Sequence, residues 1–327
     1  MGSLVYVGDY VFTNMLSKAE IHSSWKSLTD TATLTLPNLT LKSTGEKFEK
    51  LVKVGDAVQI NFGYDGELVT EYEGYVSEIV TGSPVVLKCE DEMWKLKQRL
   101  INKSWRSIKL ADMLAEIVPG ATIECPDVTL APFRLENVSA AKALEKLKEE
   151  FLLVAYFRGK KLFVGLAYQE KGLGEVNYHF QKNAIMGDLA FRRQEDIRVR
   201  IKAISVMPNN KKISVEVGDG SVDENGNGKF ADADQVTVHY YNKTKDELKV
   251  LAKEAINRIK YDGYRGAFKS KWLPFAIHSM VANLMNDRYP ERAGSYFIDS
   301  VNTSYGPDDG IDRELELGRS ATSNLIE

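Results

Sequence analysis

This 327-residue chain is poorest in the residues and motifs of catalysis, redox chemistry and membrane insertion. Its two cysteines, Cys89 and Cys125, are too few for a disulfide scaffold and lack metal-ligand spacing. Cys89 closes the apolar run Val85-Val86-Leu87-Lys88, which reads as a half-buried strand thiol. The four histidines, His22, His179, His239 and His278, are scattered without a local metal or triad partner, so each reads as a surface or structural histidine. There is no G-x-S-x-G elbow, Walker loop, H-E-x-x-H or C-x-x-C. Gly172-Leu173-Gly174 lacks the third glycine and the preceding strand of a dinucleotide site. No apolar run reaches the roughly 18 residues that span a bilayer, so stable membrane insertion is not expected. The stretch Met1-Gly2-Ser3-Leu4-Val5-Tyr6-Val7 has no basic n-region followed by a long apolar core, so export by a signal peptide is not expected either. With 43 Lys+Arg against 46 Asp+Glu the net charge is -3, and no basic excess exists to displace counterions from nucleic acid. These absences leave a protein made and kept in the cytoplasm, or in a particle assembled there, with no cofactor implied.

At this length two or three domains are expected. The first hundred residues are dominated by period two. Thr33-Leu34-Thr35-Leu36 alternates, and Val58, Ile60 and Phe62 share one face of the next strand. Gly63-Tyr64-Asp65-Gly66 is a turn signal, and Glu73 to Val80 forms a further strand. Closely spaced strands with short turns indicate an antiparallel barrel or sandwich. After Met93-Trp94 the pattern changes. Ser107 is placed to cap a helix carrying Leu110, Leu114 and Ile117, ended by Pro119-Gly120. A second helix starts at Ser139 with Leu144 and Leu147 inward, and a hairpin turning at Arg158-Gly159-Lys160 follows it. Residues 101–175 therefore read as a small α+β domain between β-rich regions at 1–100 and 176–327, with a boundary at Gln169 to Asn177. The class is α+β, mainly β.

In the third region Ile197, Val199 and Ile201 face one way while Arg198, Arg200 and Lys202 face the other. If the following turn centres on Asn209, Glu216 lies opposite Lys202. The cationic face is either a guarded sheet edge or a surface that meets an acidic neighbouring subunit. Thr244 with Glu247 forms a capping box, and Leu248, Leu251, Ala255, Ile256 and Ile259 make an apolar helical stripe. A faint repeat links Val58 and Tyr75-Val76 to Val281 and Phe297-Ile298, each an aliphatic strand followed by an aromatic-bearing one.

Three features could carry chemistry. Asp223, Asn225, Asn227 and Asp234 match positions one, three, five and twelve of a calcium loop, with Asp replacing the usual bidentate Glu. Strand-like flanks and a plain Asn/Gly hairpin loop compete with that reading. The acids Glu90-Asp91-Glu92 could supply paired carboxylates, but three consecutive acids at a strand end read as a solvated loop. Lys95, Lys97, Arg99, Lys103, Arg106 and Lys109 form an acid-free basic stretch, either a patch for an acidic partner or a solvated face.

From Asn242 to Gly318 the chain carries a helix at Lys245 to Lys260, the turn Gly263-Tyr264-x-Gly266-x-Phe268, a segment around His278 to Asp287, and Pro290-Glu291-Arg292-x-Gly294-x-Tyr296-x-Ile298. Together with Val54-Gly55-Asp56 and Tyr72-x-Gly74-Tyr75-Val76, these stretches resemble the baseplate hub proteins of contractile-tailed phages, the late control type, related in plan to the N-terminal part of type VI secretion spike proteins. The resemblance covers most of the chain. It implies two tube-like antiparallel β-barrel domains flanking the small α+β domain, and three chains in a pseudo-sixfold ring that joins the tail tube to a central spike. The implied partners are two further copies of the chain, a tail spike protein and a tail tube or tube-adaptor protein. The implied location is the bacterial cytoplasm during assembly and then the virion tail baseplate. It implies no enzymatic activity, and Arg198, Arg200 and Lys202 become candidates for the subunit interface. One departure is visible: His278-Ser279 stands where relatives often carry glycine. The competing readings are a carbohydrate-binding or adhesin-like β protein using Tyr240, Tyr241, Tyr264 and Tyr305, and a tail-associated cell-wall hydrolase, for which no suitably placed Glu/Asp pair is evident.

Overall fold

The structure, a computed structural model, describes residues 1–38, 45–130, 132–151, 153–206, 212–218, 234–241 and 243–321. The first region contains β1 (Gly2–Val7), β2 (Tyr10–Thr13), β3 (Lys18–Ser24), β4 (Thr31–Leu36), α1 (Phe48–Leu51), β5 (Ala57–Tyr64), β6 (Glu67–Val80) and β7 (Val85–Glu90). They pair antiparallel in the order β3-β4-β7-β6-β5-β1-β2. The alternation read from the sequence sets the faces: Leu34, Leu36, Ile60 and Phe62 are buried. The expected turn joins β5 to β6 as a two-residue loop, Tyr64 pairing with Glu67. Its central residues Asp65 and Gly66 have φ of +53° and +87°, the left-handed pair that matches hairpin twist. Phe48 of α1 is fully buried and edge-on to Phe12 at 4.7 Å, filling that core.

The middle region runs α2 (Met93–Gln98), β8 (Leu100–Trp105), β9 (Ile108–Lys109), α3 (Leu110–Ile117), β10 (Thr122–Glu124), β11 (Thr129–Leu130), β12 (Phe133–Ser139), α4 (Ala140–Phe151), β13 (Val154–Arg158) and β14 (Lys161–Gly165). Its apolar residues form a separate cluster, with Leu110, Leu114, Ile117, Leu144 and Leu147 fully buried. Ser139 accepts a bond from Lys142 N at 3.1 Å, as a capping serine should. Ser107 does not cap α3: the short strand β9 intervenes, and Lys109 occupies the cap position without a side-chain bond. The chain turns from β13 to β14 at Gly159, whose φ is +55°.

The last region contains β15 (Glu175–His179), β16 (Ala184–Ile185), β17 (Ala190–Arg192), β18 (Val199–Val206), β19 (Lys212–Gly218), β20 (Asp234–Tyr241), α5 (Lys245–Ile259), β21 (Gly263–Arg265), β22 (Ala267–Lys271), β23 (Val281–Met285), β24 (Gly294–Gly306) and β25 (Gly310–Ser320). The 13-residue strand β24 organises it. Its first half pairs with β23, and from Ser300 to Tyr305 it pairs with β3 of the first region. The mainly β, α+β class stands, but the strands do not close into two barrels. Among the described residues they form one 13-stranded sheet, in the order β16-β22-β25-β24-β3-β4-β7-β6-β5-β1-β2, with β15 and β23 branching from β24. The two members of the faint repeat occupy comparable places in it: β5 lies beside β6, and β23 beside β24.

The described residues between 193 and 262 form an outgrowth beside this sheet. The chain leaves at β17 and returns at β21, and these two strands pair antiparallel, Arg192 opposite Gly263. In the outgrowth β18 lies between β19 and β20, and α5 packs on one face. Val199, Ile201, Ala203, Leu248, Ala252 and Ile256 make its own apolar cluster. Thr244 and Glu247 form the expected reciprocal capping box.

Candidate interaction surface and the buried joint

The alternation of β18 places Val199, Ile201 and Ala203 under α5 and leaves Arg200, Lys202 and Ile204 on the open face of the small sheet. Arg198 precedes the strand and is exposed. Since β18 is the central strand, its cations do not guard an edge, and that alternative falls. The cross-strand register is the expected one. Lys202 is opposite Glu216, with Nζ 3.9 Å from its carboxylate. Arg200 Nη2 donates to Gln235 Oε1 at 2.5 Å, while its buried Nε finds no acceptor among the described residues. Among the described residues, the open face thus carries Arg198, Arg200, Lys202 and, at the start of β19, Lys212 against the acid Glu216. Of the calcium-loop residues, Asp223, Asn225 and Asn227 lie outside the described residues. Asp234 opens β20, its N–H donating to Arg198 O at 3.1 Å. No cluster of three or more metal-binding side chains occurs among the described residues.

The basic stretch around α2 is largely neutralised at home. Lys95 pairs with Glu92 at 3.0 Å, Lys97 with Glu90 at 2.6 Å, Lys103 with Glu116 at 2.6 Å and Lys109 with Asp127 at 3.5 Å. The solvated-face reading explains it. The acidic cluster is different. Asp91 is buried, and its carboxylate accepts from Met93 N at 3.0 Å and Asp30 N at 3.2 Å. Asp30 in turn accepts from Ser24 N at 3.0 Å and Ser23 Oγ at 2.5 Å. Burial raises the pKa of both acids, and their mutual repulsion adds to that of Asp91. Each carboxylate holds turns together, which departs from the expected solvated loop; nothing local to a strand-end acid signals a second acid 61 residues away.

These acids border a cavity of about 230 Å³ where the three regions meet. Two arginines line it, Arg313 buried and Arg158 half-buried. Arg313 of β25 (1 % exposed) meets Glu71 of β6 (2 % exposed) at 2.5 Å, and also donates to Trp272 O and Thr303 Oγ1 at 3.0 Å each. Arg158 of β13 donates to His278 O at 2.7 Å and to Glu170 at 3.3 Å, with its guanidinium 2.7 Å from His278 Nε2. Burial, then the Arg158 charge, hold the His278 pKa well below its usual value. Ser279 Oγ lies 3.2 Å from His278 Nδ1, a serine–histidine contact that sequence separation alone does not weigh. It is not an activated nucleophile. The imidazole is backed by a cation where a triad needs a carboxylate, so it is a poor base. Ser279 has φ of +71°, which explains why glycine suits that position. Tyr264 and Tyr305, proposed as exposed sugar platforms, are buried at 1 % and 4 % exposure. Burial pushes the Cys89 thiol up to about 12, in keeping with an inert strand cysteine.

Set against known proteins, the sequence matches no family model and no curated protein. Solved structures do share its fold. A tail protein from Neisseria meningitidis MC58 superposes with a TM-score of 0.65 at 14% identity, covering 97% of this chain and 95% of that one. The 43 kDa tail protein of prophage MuSo2 from Shewanella oneidensis gives 0.63 at 15% identity, covering 98% of each. An E. coli type VI secretion component, described as structurally similar to the T4 tail proteins gp27 and gp5, gives 0.58 at 7% identity, covering 96% of this chain and 74% of that one. The chain therefore has the fold of phage tail proteins and of type VI secretion components related to them. No helix among the described residues is long and apolar enough to cross a membrane.

Proposed function

We propose that this protein is a non-catalytic baseplate hub of a phage or phage-like contractile tail, three copies forming a pseudo-sixfold ring that joins the tail tube to the central spike. The observation that carries the reading is the single sheet in which β3 to β7 of one region and β22 to β25 of the other lie side by side through the β24–β3 pairing. Two comparable β units per chain, repeated three times, offer six near-equivalent surfaces to a sixfold tube, while their differences suit a threefold spike. The full-length likeness to tail proteins supports the same role. On this reading residues 1–100 and 176–327 are the two tube-like domains and 101–175 the α+β domain; the α+β region's own apolar cluster supports the division, while Trp272, Tyr305 and Ile311 of the last region join the cluster of the first. The expected location is the cytoplasm of a bacterium during assembly and then the particle's baseplate, with spike and tube or tube-adaptor proteins as partners. Arg198, Arg200 and Lys202 serve the subunit interface. Light-scattering mass and negative-stain microscopy of the purified chain test this. Threefold rings with a channel are expected, alone or with a spike protein; a chain that stays monomeric with a spike present overturns the trimer. Reversing all three charges should weaken the ring while leaving the melting midpoint in place, and an intact ring in that variant removes them from the interface.

A further inference from the structure

The edges of the 13-stranded sheet and of the outgrowth's sheet are not equally protected. At the ends of the 13-stranded sheet lie β2, four residues long, β16, two residues long, and on the branch β15, five residues long, whose His179 N and Asn177 O are taken by the Asn183 side chain. Such short edges offer little to an incoming strand. In the outgrowth, β19 opens with Lys212 and closes with Gly218, and a lysine and a glycine both discourage a further strand. The other edge, β20, has neither device. It reads Asp234-Gln235-Val236-Thr237-Val238-His239-Tyr240-Tyr241, with no Lys, Arg, Pro or Gly, and it pairs in unbroken register with β18 over all eight residues. Among the described residues no strand pairs with its outer side. A long, regular, unguarded strand is a template for one more strand.

The two faces of β20 specify what that strand carries. Val236, Val238 and Tyr240 lie on the α5 side, half-buried against the apolar cluster. A new strand beside them extends that cluster with every second residue. Gln235 and Thr237 lie on the open face and are exposed, opposite Arg200 and Lys202. The intervening residues of the new strand stand two strand spacings, about 9.6 Å, from β18, within reach of the two long cationic side chains. Among the described residues, Arg198, Arg200, Lys202 and Lys212 outnumber Glu216 on this face. Acidic side chains fit that excess.

We infer that β20 accepts an extended segment of another protein chain by strand addition, the segment being aliphatic at alternate positions and acidic between them. This deepens the interface assignment of Arg198, Arg200 and Lys202 and rests on it. A different chain is favoured over a second copy because β20 itself would bring no carboxylate to the cations: its only acid, Asp234, is in register with Val199, on the α5 side of the sheet.

Amide hydrogen exchange on the full chain tests the inference with two synthetic probes, an acetylated and amidated (Glu-Val)₄ peptide and its (Lys-Val)₄ counterpart. At ten times its Kd the glutamate peptide should slow exchange of the β20 amides about tenfold, with β2 unchanged. The double variant Arg200→Glu, Lys202→Glu should exchange this preference for the lysine peptide. No slowing by either peptide at millimolar concentration overturns the inference, as does equal slowing by both. Protection of β20 that rises with protein concentration in the absence of peptide overturns it in favour of a second copy. Scattering mass of the same samples separates the two readings. A ring whose β20 ignores both peptides sinks strand addition alone, and a monomer whose β20 is protected by the glutamate peptide sinks the ring alone.

Discussion

Arg313 and Arg200 both stand on strands, yet one is sealed between two β regions and the other faces out from an open sheet. Arg313 spends its guanidinium on Glu71, Trp272 O and Thr303, all within 3.0 Å, and lies over the ring of Phe275. Among the described residues, Arg200 bonds to Gln235 alone, and its side chain stays partly exposed on the open face. A buried charge must satisfy itself within the fold, because desolvation costs several kcal/mol per ion. A half-exposed one can leave its partner to another molecule at little cost. The difference separates charges that fasten this chain to itself from charges open to a neighbour.

The largest effect belongs to the sealed pair. Replacing Arg313 with Met leaves Glu71 buried without its counter-ion and should cost about 3–5 kcal/mol, read as a lowered urea midpoint. Glu71→Met should cost a similar amount. The double variant E71M/R313M should recover most of the loss, because two apolar side chains of similar size remove the uncompensated charge. If the double variant is as unstable as the sum of the singles, the pair does not act as a unit and the comparison with Arg200 fails.

A smaller effect is expected at Arg158 and His278. The folded imidazole resists protonation, so the unfolded chain binds the extra proton first as pH falls. The stability contributed by keeping His278 neutral is therefore present above its unfolded pKa of about 6.5 and declines below it. The decline has a slope of at most about 1.4 kcal/mol per pH unit for one group. Asp30 and Asp91, whose folded pKa values are raised, act in the opposite sense. Their contribution is present below the unfolded value near 3.8 and is lost as pH rises through the folded values. Urea unfolding of the wild type and His278→Gln between pH 7 and 5 isolates the imidazole. The variant should show a shallower loss towards acid, and an identical slope would place His278 outside the pH response.

Much of this architecture was legible because local chemistry decides it. The Asp65-Gly66 turn, the Thr244 capping box, the Ser139 cap and the Lys202–Glu216 register all follow from neighbours within a few tens of residues. What the sequence hid is long-range. The β24–β3 pairing joins residues about 280 apart, and it turns two anticipated barrels into one sheet. Asp91 reads as a solvated acid until Asp30 arrives across 61 residues. Glu71 and Arg313 give no local sign of burial because each is an isolated charge on an alternating strand, and Arg158 reads only as a turn residue. The cationic face was visible as a pattern, but its central place in the sheet depends on β20 pairing parallel to β18.

The smallest effect is the most discriminating. Lys202 and Glu216 are each 38 % exposed at the side chain and 3.9 Å apart, on the open face that Arg200 shares. A pair so placed gains little Coulomb energy in water and loses side-chain entropy. Lys202→Ala and Glu216→Ala, alone and together, should reveal a coupling below about 1 kcal/mol in a double-mutant cycle, shrinking further at 0.5 M salt. Such a value means that Lys202 can turn from Glu216 to an incoming carboxylate almost freely. A coupling of 2 kcal/mol or more would mean that Lys202 is held within the fold as firmly as a buried charge. The open face would then have one cation fewer for a partner, and the contrast with the sealed arginines would narrow to Arg198 and Arg200.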